Sequence, residues 1–132
     1  MRYKSYDDDF IKKLADNSIF TSKQSGASYS DFRLSNFRSQ NISTRENTVQ
    51  NISDNENFGF SVRVIVNGAW GFAASSSFTE DEVVKVSKLA CEIARANKSI
   101  QKNFVELVPN PVYNEFWQTP IRKNPFDVNV DD

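Results

Sequence analysis

The chain has 132 residues, enough for one domain with a real core, and its sixteen basic and seventeen acidic side chains nearly cancel. Near-neutrality leaves no basic field to attract a nucleic-acid backbone, and no apolar run is long enough to cross a bilayer. The sequence holds no histidine and one cysteine, which removes histidine triads, histidine general bases, histidine metal ligands and internal disulfides together. A single thiol and an N-terminus "MRYKSYDDDF" without an apolar core point to a soluble cytoplasmic protein.

The first predicted element is a helix over about 7–25. Phe10, Ile11, Leu14 and Ala15 share one helical face, Asp7, Asp8 and Asp9 favour the positive end of its dipole, and Gly26 is a stop signal. "ADNSIFT" is a weak helix former, so a break near Asn17 is expected. The three aspartates read as a solvated helix start rather than a cation site, because charge runs are normally solvated.

Residues 28–43 follow as a long strand. Phe32 and Leu34 point to one face and Asp31 and Arg33 to the other, with a bulge or register drift expected after Asn36. A turn near Glu46 and Asn47 leads to a second, polar strand over about 48–53. "QNIS" occurs in both strands, at 40–43 and 50–53. The sequons at Asn41, Asn51 and Asn97 read as coincidental.

The most regular stretch is "FGFSVRVIVNGAWGFAAS", residues 58–75. Asn67-Gly68 is a strong two-residue hairpin signal, because both positions tolerate positive φ. It sets Val66 opposite Ala69, Ile65 opposite Trp70 and Arg63 opposite Phe72. One face then carries Phe58, Phe60, Val62, Val64 and Val66 with Ala69, Gly71 and Ala73. The other carries Ser61, Arg63, Ile65, Trp70, Phe72 and Ala74.

A second helix is predicted over 79–98. Thr79 and Glu82 form a capping box, and Val83, Val86, Ala90, Ile93 and Ala94 form the apolar stripe, with Ser87 inside it. The small stripe suits close approach to the Val-rich hairpin face. Cys91 reads as packing filler rather than a reactive thiol. "FVELV" at 104–108 is expected to be a further strand. Residues 109–132 hold all four prolines and read as an extended wrapping segment, with Tyr113, Phe116, Trp117 and Phe126 as anchors. The expected fold is α+β: a single domain, 1–132, with a mostly antiparallel twisted sheet of hairpins and both helices on one face.

"GASYSDFRL" at 26–34, "FGFSVRVIVNGAWGFAASSSFT" at 58–79 and "TPIRKNPFDV" at 119–128 resemble the TldD/PmbA family, also called modulators of DNA gyrase. The likeness runs from about residue 10 to 128. Its specific part is Gly59, Phe60, Ser61, Val62, Arg63 and Val64, then Gly68, Ala69, Trp70, Gly71 and Phe72. Ser61 stands where the family has a second glycine, and "STRENTVQN" at 43–51 departs from an Asn-Gly turn. The resemblance implies a zinc-dependent peptidase of two domains, of which this is the N-terminal one. The zinc, on a helix with paired histidines, is then expected in a C-terminal catalytic domain beyond this chain, and no catalytic, cofactor or metal residue carries over.

The implied function is a non-catalytic domain contributing substrate access and contacts to that C-terminal domain and to a homo- or heterodimer partner, with a peptide as substrate. The alternative is a free-standing protein-binding module without peptidase activity. An independent serine enzyme is weaker, since Ser75, Ser76 and Ser77 lead into a helix cap with no base in reach. The candidate interface is Arg63, Ile65, Trp70 and Phe72, a face too apolar to be wholly solvated.

Overall fold

A computed structural model describes residues 7–129. The elements are α1 (Asp8–Gln24), β1 (Tyr29–Arg45), β2 (Thr48–Val66), β3 (Ala69–Ser75), α2 (Glu80–Lys98) and a short 3-10 turn (Pro125–Asp127). The strands form a three-stranded sheet in the order β1-β2-β3, with β2 and β3 antiparallel. The fold is α+β, as the sequence implies. The chain divides into two compact units. The first runs to Arg38 and resumes over Asn55–Glu106; the second joins Ser39–Asp54 with the chain from Leu107 on.

In the first unit, α1 starts where its charges dictate. The Asp7 carboxylate accepts from the Asp9 amide, and Asp8 and Asp9 occupy the first turn. At the other end Gly26 has φ +86°, its amide bonds the Lys23 carbonyl, and the Ala27 amide bonds the Ser22 carbonyl. This paired pattern closes the last turn through a left-handed glycine. The expected break at Asn17 does not occur. Leu14, Ser18, Thr21 and Ser22 are buried, and packing overrides the weak local propensity.

Glu46 and Asn47 both have positive φ and join β1 to β2 in a two-residue turn. The strand expected at 48–53 and the first strand of the later hairpin are one 19-residue strand. Nothing between them breaks a ladder: Asp54, Asn55 and Glu56 are merely polar, and proline is absent.

The β2–β3 register is the one that the Asn67-Gly68 turn dictates, from Val66↔Ala69 to Phe60↔Ser75. Phe60, Val62, Val64, Val66, Ala69 and Ala73 are buried on the inner face. Helix α2 supplies Val83, Val86, Ala90 and Ala94 to that core, while Ile93, expected beside them, is only half-buried. Thr79 caps α2, its hydroxyl accepting from the Glu82 amide. The helices meet through polar atoms. Ser18 and Ser87 hydroxyls lie 2.9 Å apart, fully buried. Ser87 donates to the Val83 carbonyl, so Ser18 donates to Ser87.

Residues 104–108 are not a strand. One backbone bond forms, from the Val105 amide to the Gly68 carbonyl, and the Gln101 side chain donates to the same oxygen. Phe104 packs over the backbone of Gly68, pinning the chain there. Pro109 and Pro111 follow at once and cannot donate to a ladder.

The second unit comprises the outer halves of β1 and β2 and the C-terminal segment. Asn124 caps its 3-10 turn by accepting from the Phe126 amide. Outside that turn the described part of the segment forms no helix or strand, and Phe126 is half-buried. Tyr113, Phe116 and Trp117 are 70%, 88% and 80% exposed, so a wrapping role remains a proposal.

Candidate interaction site

The sheet face turned away from the helices carries the predicted interface residues. Strand alternation places Arg63 on β2 directly across from Phe72 on β3, and Ile65 across from Trp70. The Arg63 guanidinium carbon lies 4.8 Å from the Trp70 ring centroid, within cation–π range.

Two residues outside the predicted set complete the arrangement. Asp31 on β1 accepts from Arg63 Nε at 2.8 Å and pairs with Nη2 at 2.7 Å. The Tyr29 hydroxyl donates to the same carboxylate oxygen at 2.9 Å. Tyr29 also meets Trp70 edge-on, with centroids 5.8 Å apart. Tyr29, Asp31, Arg63 and Trp70 thus form a closed ring across all three strands. The hydrogen bond that Arg63 donates to Asp31 raises the Arg63 pKa above its usual value, so the guanidinium stays charged at any accessible pH. The alternation in "SYSDF" places Tyr29 and Asp31 on this face, but only the β1–β2 pairing brings them to Arg63.

Ile65 does not belong to the exposed set. It is 3% exposed, and its carbonyl accepts from both the amide and the hydroxyl of Ser28. As a central-strand residue between the entry to β1 and Trp70, it is enclosed by its neighbours. Phe72 is 56% exposed, Trp70 is half-buried and Arg63 is exposed. The usable face is therefore Arg63, Trp70 and Phe72.

Further along this face, a hollow of about 410 Å³ lies over Gly59, between Phe37 and Ala74. Its lining holds serine hydroxyls and the Asn57 amide but no acid or base. Such a hollow can seat an apolar group but cannot transfer protons. Ser75, the predicted approach to the cap, accepts at its hydroxyl from the Ser77 amide, a local turn bond.

The residues present do not fit a zinc centre. The chain has no histidine, and the described residues bring together no group of three or more His, Cys, Asp or Glu able to hold a metal. Cys91 is fully buried against α1, and desolvation raises its pKa, which keeps the thiol protonated. Among the described residues, no helix is long and apolar enough to cross a membrane.

The family model for PmbA/TldA metallopeptidase domain 1 matches residues 30–94, from β1 into α2. This match supports an N-terminal TldD/PmbA-family domain. It is similar to metalloprotease MJ0996 of Methanocaldococcus jannaschii, with 24% identity over 104 residues, covering 79% of this chain and 23% of that protein. Its fold is similar to the crystal structure of TldE from Thermococcus kodakarensis, with a TM-score of 0.56 and 20% identity, covering 80% of this chain and 23% of that one. The chain thus spans about a quarter of the length of these relatives. The matched segment contains the Arg63, Trp70 and Phe72 face.

Proposed function

We propose that this chain is the non-catalytic N-terminal domain of a TldD/PmbA-type metallopeptidase, where it shapes the access of a peptide substrate and supplies domain and dimer contacts. Zinc is assigned to a separate C-terminal domain. The observation that carries this reading is the outer sheet face. Arginine and aromatic residues, the types enriched at interface centres, are held there in one closed ring of polar and aromatic contacts, while the helices of the first unit cover the opposite face. A lone buried thiol suits a reducing, cytoplasmic setting.

The test is a peptidase assay of this chain with added zinc, on an unfolded peptide. No turnover above buffer is expected. Cleavage that a chelator abolishes, and that tracks with this chain through purification, overturns the reading.

A further inference from the structure

Three groups from one short stretch after α2 converge on Gly68 in the β2–β3 turn. The Gly68 carbonyl accepts from the Val105 amide at 2.9 Å and from Gln101 Nε2 at 2.8 Å. Two donors occupy both lone pairs of that oxygen. The Phe104 ring stands over the same residue. A Cβ on Gly68 would lie 2.0 Å from Phe104 Cδ1 and 2.9 Å from its Cγ. The seat for the ring therefore exists only because position 68 carries no side chain.

The hold is narrow beside what it holds on to. β2 and β3 pair continuously from Val66↔Ala69 to Phe60↔Ser75 over a core of buried side chains. Residues 102–106 form no helix or strand, Phe104 is 72% exposed and Val105 is half-buried. A hollow of about 70 Å³ lies beside the ring, lined by Asn67, Ala69, Lys98, Gln101 and Asn103 among others. It has room for about two waters, which can take over both hydrogen bonds as the chain lifts. Little buried apolar contact and accessible hydrogen bonds put this tie at the low end of local stability.

We propose that Gln101, Phe104 and Val105 form a releasable latch on the hairpin turn, which opens as a unit while the hairpin stays folded. Both hydrogen bonds end on one oxygen and the ring covers the same residue, so lifting the chain breaks all three contacts together. Helix α2 stays in place when the latch opens. Asn97 holds the Trp70 carbonyl at 2.9 Å, and Gly71 lies against Ala90 and Ala94.

The closed and open states differ in slack. Closed, the chain is tied to the turn at Val105, one residue before the first unit ends at Glu106. Open, the stretch 102–106 releases up to about 17 Å of chain between α2 and the segment that starts at Leu107. That segment carries the exposed Tyr113, Phe116 and Trp117, so the latch sets how far those side chains reach for a surface. This device goes beyond the proposed function and uses none of the Arg63 face.

Native-state hydrogen exchange of the full 132-residue chain, read amide by amide in low denaturant, tests the latch. Val64, buried in the paired part of β2, is the reference. The Val105 amide is expected to be protected, yet to exchange about a hundredfold faster than Val64 at a rate that low denaturant hardly changes, as a local opening does. Phe104→Ala should speed exchange at Val105 about tenfold, and Gln101→Ala about threefold or more, with Val64 unchanged in both. Circular dichroism checks that each variant folds. Three outcomes would each overturn the proposal. Val105 exchanging at the rate of a free peptide means that the latch is not closed in solution. Val105 exchanging together with Val64, with the same denaturant dependence, makes the stretch part of the core. Phe104→Ala with Val105 unchanged removes the ring from the tie. None of these outcomes bears on the peptidase assay.

Discussion

Gly71 on β3 lies so close to Ala90 on α2 that it has no room for a side chain. A Cβ there would overlap the Ala90 carbonyl oxygen and lie 2.7 Å from the Ala94 nitrogen and 2.8 Å from the Ala94 Cβ. Helix and strand meet nearly backbone to backbone. Small residues at Ala90 and Ala94 permit this from the helix side, and the Asn97–Trp70 bond of 2.9 Å locks the same contact one strand residue away. Asn97, one of the three sequon asparagines, thus has a structural task.

Gly71→Ala is therefore expected to be among the most damaging single substitutions in the chain. The obstructing atoms are backbone, which cannot swing aside, so the helix must shift as a whole. A loss of about 3 kcal/mol is expected, at the upper end for overpacking. A denaturant melt reads it directly. A loss below about 1 kcal/mol would show that α2 can lift without cost.

The hairpin, its register, the capped α2 and the inner core face were all legible, because each follows from a local rule of turn chemistry or period. What failed was non-local. Ile65 alternates onto the outer face, yet its place between β1 and Trp70 buries it. Residues 104–108 have strand composition, yet Phe104 is spent on Gly68 and no ladder forms beyond Val105. α1 ignores its weak middle because Ser18 and Ser22 face α2. Asp31 and Tyr29 joined the site for the same kind of reason: pattern gives a residue's face, while strand pairing gives its neighbours.

Ser22 tests the polar seam between the helices. Its side chain is fully buried and its hydroxyl has no hydrogen-bond partner among the described residues, whereas Ser18 and Ser87 satisfy each other. An unsatisfied buried hydroxyl costs about 1–3 kcal/mol of desolvation. Ser22→Ala should therefore raise stability, by about 1 kcal/mol. Ser87→Ala should lower it by a similar amount, because Ser18 then loses its acceptor. Chemical denaturation of the two variants side by side should give opposite signs; equal signs would contradict this view of the seam.

The Arg63–Asp31 pair should be worth little to stability despite its good geometry. The two side chains are 44% and 27% exposed, so water screens the attraction. A double-mutant cycle with Arg63→Ala and Asp31→Ala is expected to give a coupling of about 0.5–1 kcal/mol, shrinking as salt rises. A coupling above about 2 kcal/mol, insensitive to salt, would mean that the ring is a stabilising core feature rather than a preorganised surface.

Cys91 links folding to pH. Desolvation is the largest cause of its raised pKa, with Arg95 opposing and Glu92 adding to the shift. The folded state therefore holds the thiol proton more tightly than the unfolded chain does. The sign follows from linkage: a raised folded pKa contributes stability that is fully present below the unfolded thiol's usual value, about 9, and is lost as pH rises through the higher folded value. Wild type should thus lose stability between about pH 8.5 and 10 more steeply than Cys91→Ala, which lacks the group. The variant starts lower, because it leaves a small void between α1 and α2. Urea midpoints at half-unit pH steps would show the two curves converging at alkaline pH. The folded thiol should also react with an aromatic disulfide reagent only as fast as the chain opens. Curves that stay parallel, together with immediate thiol labelling of the folded protein, would place Cys91 in contact with solvent and contradict its burial against Ser22.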